Sequence, residues 1–311
     1  MSILDAIIQG IVQGLTEFLP VSSSGHLLLA QHVLGIQENN LFFNVMLHIG
    51  TLIAVLAVYY KTILKLIVAF FGMLKDIFTG KFSLKKLNKN QRMIVMLFLG
   101  LLPLFLLFLP IPGSGTNIKG IAEELSSERN IILVGISLVL TSLMLKLGTK
   151  KQNFKKYKFS REELKNDSRK EINSIDAIWI GVVQFIASIF PGISRSGSTL
   201  STGLLRGVEK QTALDYSFVL GIPAIIAAAA LELKESFEMG AISSMNINSV
   251  LIGMLVSAIV GFLSIKLFKW LLKTDKMIIF IIYTFVVGLV SLIIGIYEQT
   301  QGFNIFTGNP L

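Results

Sequence analysis

The chain has no cysteine, which excludes disulfides and thiolate chemistry. Charge is scarce as well. Only 15% of the 311 residues are Asp, Glu, Lys or Arg, against 53% hydrophobic, and the mean hydropathy is +0.71. A water-soluble domain carries about a quarter charged residues, so this composition points to the membrane. The N-terminus lacks a basic stretch ahead of its first apolar run, and that run holds Asp5 and Glu17, so no cleavable signal peptide is expected. Acids are outnumbered, 19 against 28 Lys plus Arg, for a net charge of +9. Such an excess can signal nucleic acid. Here the basic residues sit in short loops between apolar runs, so no nucleic-acid partner is expected.

Those loops set a topology. Segment 61–92 holds eight Lys/Arg against one acid, 146–176 ten against five, and 266–276 four against one. By contrast 113–129, 232–249 and the tail 297–311 are acid-rich or nearly uncharged. Lys and Arg bias loops to the cytoplasm, which puts the first three inside and the last three outside. Six runs of about the 20 residues that cross a bilayer core then thread in alternation: 41–60, 93–112, 130–148, 212–231, 250–270 and 277–296. Two segments are left over, 1–36 and 175–206. For the charges to agree, each must enter and leave on one side, the first from outside and the second from the cytoplasm. Both termini fall outside. Hydropathy also admits a topology in which both segments cross completely.

The leftover segments carry a repeat. Residues 10–25 read GIVQGLTEFLPVSSSG and residues 181–197 read GVVQFIASIFPGISRSG. An offset of 171 pairs Gly10 with Gly181, Gln13 with Gln184, Pro20 with Pro191 and Ser23 with Ser194. One insertion later, Ser24-Gly25 pairs with Ser196-Gly197. At an offset of 173, Phe43, Leu47, Ile49, Ile53 and Ala54 pair with Tyr216, Leu220, Ile222, Ile226 and Ala227. The expected fold is an all-α polytopic membrane protein with an inverted-topology repeat, each half one re-entrant helical hairpin plus three transmembrane helices. The halves run 1–150 and 175–311, joined by a basic cytoplasmic linker, 151–174. Interrupted apolar segments at matching places in two such halves point to the binding site.

Pro20 and Pro191 each stop an apolar helix, because proline lacks the N–H that the ladder needs. Serines follow, which favour helix N-caps: Ser22, Ser23 and Ser24 in one tip, Ser194, Ser196 and Ser198 in the other. Two helix N-termini facing each other form an anion site whose N–H groups and hydroxyls suit phosphate oxygens. Arg195 adds a guanidinium that grips phosphate bidentately. Glu17 stands one turn from Gln13, so the two share a face. His26 follows the serine cluster and titrates near neutral pH. The bland reading makes Arg195 and Glu17 a structural ion pair and His26 an interfacial residue. His32 and His48, outside the tips, are expected to be structural.

QGIVQGLTEFLPVSSSGH and PGISRSGST resemble the two signatures of the bacterial undecaprenyl-diphosphate phosphatase family, and the likeness in length and hydropathy covers the whole chain. The resemblance implies an integral-membrane phosphatase of the bacterial cell membrane, its site open to the outer face. Undecaprenyl diphosphate would be hydrolysed to undecaprenyl phosphate, recycling the cell-wall lipid carrier, with an associated resistance to bacitracin. It implies a divalent cation, Mg2+ or Ca2+. Gln13 and Glu17 match one family element, Ser22, Ser23, Ser24 and His26 a second, and Ser194, Arg195, Ser196 and Thr199 a third. On this footing Ser23 is the expected nucleophile and His26 its proton partner, with a phosphohistidine at His26 as the rival. Glu17, with Gln13, would orient that pair or hold the metal. Arg195, Ser194, Ser196 and Thr199 would bind phosphate, with the Ser22 and Ser24 hydroxyls beside them. The expected partners are an isoprenoid diphosphate lipid and membrane lipids, and a homodimer is compatible with the sequence.

Two rivals share these features. A transporter or flippase for a polyprenyl phosphate would also use inverted repeats with broken helices, but needs no nucleophile with a proton partner. The type-2 phosphatidic acid phosphatases share an SGH element. They also need a later histidine, and none follows His48.

Overall fold

The structure is a computed structural model that describes residues 2–36, 41–127, 130–158, 169–238 and 246–310. Among them stand eleven α-helices and no strand longer than an isolated bridge. Six stretches are long and apolar enough to cross a membrane: Leu41–Phe78, Lys89–Phe108, Ile131–Lys150, Lys210–Glu238, Ile247–Lys273 and Ile278–Gln301. They coincide with the six runs expected from hydropathy, and the chain is an all-helical polytopic membrane protein.

The first interrupted segment folds as α1 (Ile3–Thr16) and α2 (Ser23–Val33). Ser2 and Asp5 close a reciprocal capping box at the start of α1. The Pro20 break separates the two helices. The following helices are α3 (Leu41–Phe78), α4 (Lys89–Leu101), α5 (Ile118–Ser127) and α6 (Ile131–Lys158). The second interrupted segment gives α7 (Ser174–Ile189) and α8 (Arg195–Leu205), followed by α9 (Lys210–Glu238), α10 (Ile247–Lys273) and α11 (Ile278–Gln301).

Boundaries differ from expectation where charge was read as a stop. The run 41–60 continues helically to Phe78, about 57 Å at 1.5 Å per residue. Lys61 and Lys65 only move its surface into a polar setting, and nothing breaks the ladder until Gly80, at φ +67, ends it. The run 93–112 is helical from Lys89 but tightens into 3-10 turns over Leu102–Phe108, because Pro103 removes a donor. Helix α5 falls in 113–129, which hydropathy left as a loop. Of the basic segment 151–174, residues 151–158 continue α6, and 159–168 lie outside the described residues.

Helices pack through small residues and cross-helix hydrogen bonds, as they do where lipid removes the hydrophobic incentive. A Cβ on Gly181 would stand 2.4 Å from the Gly100 carbonyl oxygen, so α7 meets α4 backbone to backbone. Gly10 would approach the Gly253 oxygen to 2.7 Å, which seats α1 on α10. Ser257 Oγ donates to Leu47 O (2.8 Å), Ser264 Oγ to Leu15 O (2.8 Å) and Tyr216 OH to Met96 O (2.7 Å). A chain of aromatic contacts, Phe18–Phe218–Phe268–Phe280, fills the interior under the first tip, so some of the 22 phenylalanines form core rather than lipid surface.

The linker rejoins the helices at a charge clasp. Asp176, fully buried, accepts from Arg169 Nη1 (2.5 Å) and Nη2 (3.0 Å) and from Arg206 Nε (3.0 Å). It also completes the capping box of α7 with Asn173.

Candidate active site

The two tips meet. Gly192 N donates to Ser24 Oγ (3.4 Å), and Ser196 Oγ donates to the Leu19 carbonyl (3.1 Å). A helix start from each half thereby faces the other across a single junction.

Glu17 is the hub. It caps the C-terminus of α1, just before Pro20, and is 6% exposed. Its Oε2 accepts from Ser23 Oγ at 2.7 Å and from Gln13 Nε2 at 3.0 Å. Its Oε1 accepts from Arg195 Nη2 at 2.6 Å. Gln13, expected to share a face with Glu17, does so and is fully buried, and its own Oε1 has no protein partner. Arg195, the first residue of α8, sends Nη1 to the Gly221 carbonyl at 3.2 Å. A Cβ on Gly221 would lie 2.8 Å from that nitrogen, so only glycine lets the guanidinium rest there.

The serines divide by role. Ser22 caps α2 at φ +75 and ψ 100, a conformation that strains any residue bearing a Cβ by about 1–3 kcal/mol. Its Oγ accepts from Gly25 N (3.2 Å) and lies 3.4 Å from the Ser24 Oγ. Ser23, first in the helix, is free of capping duty and aims at Glu17. In the second tip, Ser194 caps α8 by accepting from Gly197 N (3.0 Å), and its own N–H donates to Thr141 Oγ1 (3.1 Å). Thr199 is held by Arg195 O (2.8 Å) and Ser217 Oγ (2.5 Å). Ser194 and Thr199 are almost wholly buried, with hydroxyls engaged in the scaffold around Arg195.

His26 is placed differently from the sequence expectation. Its Nδ1 lies 2.8 Å from Ser22 O and its Nε2 lies 2.8 Å from Tyr283 OH. Neither ring nitrogen is bonded to Ser23, whose hydroxyl the Glu17 carboxylate has taken. The reason is local: as the N-cap of α2, Ser22 points its carbonyl along the helix at position 26, where the His26 N–H (3.1 Å) and imidazole both reach it.

Two residues that sequence reasoning passed over stand at this site. His48, set aside as structural, has Nε2 3.9 Å from Glu17 Oε2 and Nδ1 2.8 Å from Asn44 O. A signal existed, since the offset of 173 pairs position 48 with 221, the glycine under Arg195. The corresponding position of α3 and α9 therefore attends each tip's charged residue. Tyr283 left only a faint signal, a hydroxyl within an apolar run. His32, also expected to be structural, is: it contacts Glu298 (2.9 Å) and Asn304 (3.1 Å) and ties α2 to the C-terminal segment.

A divalent ion fits this set poorly. Both Glu17 oxygens are occupied, and among the described residues no cluster of three or more His, Asp or Glu could hold a metal. Protein-only cages for Mg2+ or Ca2+ need several oxygen ligands.

Fold and centre together define an integral-membrane protein whose polar core is a serine, a carboxylate and an arginine joined where two broken helices meet. The family model described as bacitracin resistance protein BacA matches residues 6–290, and the chain belongs to that family. It is 35% identical over 294 residues to a protein of Alkaliphilus metalliredigens (93% of this chain, 97% of the relative). It is 35% identical over 302 residues to one of Methanosphaera stadtmanae (95% and 99%), and 36% identical over 299 residues to one of Desulforapulum autotrophicum (95% and 99%). Each of the three bears the name undecaprenyl-diphosphatase.

Proposed function

We propose that the chain hydrolyses undecaprenyl diphosphate to undecaprenyl phosphate and inorganic phosphate, recycling the cell-wall lipid carrier. The family and the name shared by near full-length relatives support the reaction. The observation that carries the chemistry is the Ser23–Glu17–Arg195 contact, a hydroxyl on a carboxylate already facing a guanidinium.

In this reading Ser23 Oγ attacks the terminal phosphorus as its proton passes to Glu17 Oε2. The Oγ–P bond forms, and the bridging P–O bond breaks toward undecaprenyl phosphate, which leaves with the electron pair. A water then attacks the phosphoserine, Glu17 mediates the proton transfer, and Ser23 is restored. Arg195 neutralises the oxygens of the transferring group, the main requirement of phosphoryl transfer. The tip N–H groups and the Ser24 hydroxyl, near the junction, contribute further donors, whereas the Ser196 hydroxyl is spent on the Leu19 carbonyl. Gln13 holds Glu17 in register. A dependence on Mg2+ or Ca2+ would then belong to the diphosphate, which would bring the cation with it.

We assign the topology in the same way. The halves 1–150 and 175–311 form an inverted repeat, with the α1–α2 and α7–α8 hairpins entering from opposite faces. In support, α1 and α7 have 14 and 16 residues, too few for a full crossing. Helix α1 packs on α10 as α7 packs on α4, the pairing a two-fold exchange of halves requires. The bias of Lys and Arg toward cytoplasmic loops supports both termini on the outer side, and the family resemblance supports a site that opens there.

Release of phosphate from undecaprenyl or farnesyl diphosphate by the purified protein in detergent tests the reaction. Ser23→Ala is expected to abolish release, and a phospho-enzyme trapped with the wild type should map to Ser23. Normal turnover by Ser23→Ala, or label at His26, overturns the assignment of the nucleophile.

A further inference from the structure

We infer that Tyr283 is a positioning residue that fixes the aim of His26, whose tautomer the Ser22 carbonyl sets. The inference rests on the reading of the first tip as the reacting centre, with His26 a second proton-exchanging group beside Glu17.

Start from the ring. His26 Nδ1 lies 2.8 Å from the Ser22 carbonyl oxygen, which only accepts. Nδ1 therefore carries the hydrogen, and in the neutral ring the lone pair is on Nε2. Nε2 is 2.8 Å from Tyr283 OH, a hydroxyl able to donate to it. The two rings also stack, 5.5 Å between centroids and 16° between planes. A carbonyl from one side, a phenol from the other and a stacked face hold the imidazole in position, tautomer and plane.

The surrounding packing sets the spacing of the two helices that carry these rings. Helices α2 and α11 both lean on α6. On one side, a Cβ at Gly25 would lie 3.2 Å from the Val134 side chain of α6. On the other, Gly135 and Gly288 bring α6 and α11 into backbone contact, and Ser142 Oγ donates to Ile281 O (2.8 Å), two residues before Tyr283. Helix α6 thus gauges the distance between the imidazole and the phenol.

Packing alone does not account for this hydroxyl. Its neighbours Ile279, Ile282 and Val286 are about half exposed and apolar, a surface made for lipid. Thr284, next in sequence, is buried and returns its hydroxyl to Phe280 O. Tyr283 OH is bonded to the one titratable side chain of the first tip that does not touch Glu17. With Nδ1 committed to Ser22, Nε2 is the ring position left to exchange a proton, and Tyr283 presents that nitrogen at a set angle. Carbonyl or carboxylate partners play this part for other functional histidines.

Tyr283→Phe keeps the stack and removes the hydroxyl. It is expected to lower kcat about tenfold and leave KM within about twofold. In a His26→Ala background the same change should have no further effect, because its target is gone. The chain has only three histidines, so the 15N spectrum of histidine-labelled protein reads each ring separately. Wild type should show His26 as the Nδ1–H tautomer, and Tyr283→Phe should shift its Nε2 resonance by removing the hydrogen bond to that nitrogen. Unchanged kcat in Tyr283→Phe, an equal loss with or without His26, or an unaltered His26 signature overturns the inference. If the wild type releases no phosphate, the proposed reaction falls instead, and the 15N comparison still decides the role of Tyr283.

Discussion

Ser23 and Arg195 address opposite oxygens of one carboxylate: the hydroxyl lies 2.7 Å from Glu17 Oε2 and the guanidinium 2.6 Å from Oε1. The two residues belong to different tips, 172 positions apart in the chain. Neither tip alone contains both the hydroxyl and the guanidinium that meet on this carboxylate.

Glu17→Gln should separate structure from chemistry. The amide keeps the shape and a hydrogen bond to Ser23 but cannot take its proton. Phosphate release is expected to fall by about a hundredfold or more, with the melting temperature in detergent as the folding control. A variant that keeps wild-type turnover removes Glu17 from the proton path.

Gly221→Ala should move stability and activity in opposite directions. Alanine favours a helix interior over glycine by up to about 1 kcal/mol, so the protein should be at least as stable to heat. Its Cβ would lie 2.8 Å from Arg195 Nη1 and push the guanidinium off its rest. A misplacement near 1 Å costs about a hundredfold, and kcat/KM should show it. Unaltered kcat/KM would mean that the position of Arg195 does not limit the reaction.

Ser22 joins a cap to a strained backbone. Ser22→Ala loses the cap and keeps φ +75, whereas Ser22→Gly loses the cap and relaxes the strain. Alanine is expected to cost about 1–2 kcal/mol and glycine only a few tenths. Thermal unfolding of the two variants side by side gives the order, and alanine as the milder change would contradict the strained turn.

Asp176 stabilises the junction of linker and α7 and stands apart from the tips. Asp176→Ala strands two guanidinium groups and removes a cap, and should cost about 1–3 kcal/mol. Activity per folded molecule should be retained. Lost turnover in protein that remains folded would tie this clasp to the reaction.

Much of the fold could be read before any coordinates, for identifiable reasons. Six runs were apolar enough to need lipid, and Pro20 and Pro191 break helices wherever they stand. The end of α3 was misread because Lys61 and Lys65 tell where water begins, not where a hydrogen-bonded ladder stops. At the centre, Glu17, Gln13, Ser23 and Arg195 were legible because a charge or a hydroxyl run inside an apolar segment is costly. The partner of Ser23 was not. The sequence places His26 three residues on, but the Ser22 carbonyl and Tyr283 engage that imidazole instead. Long-range pairs of this kind depend on how α6 spaces its neighbours, which no local pattern encodes. His48 was recoverable only by extending the second offset to the position beside Leu47.

The Glu17–Arg195 contact also makes the resting centre its own placeholder. Before any lipid arrives, the Glu17 carboxylate and the Gly221 carbonyl take the two arms of the guanidinium that a phosphate would fill. On the proposed reaction, the incoming headgroup must evict the carboxylate, and eviction is what frees Glu17 to draw the proton from Ser23. Recognition and arming of the nucleophile are then one event, and a molecule too weakly anionic to win the arginine meets an idle serine.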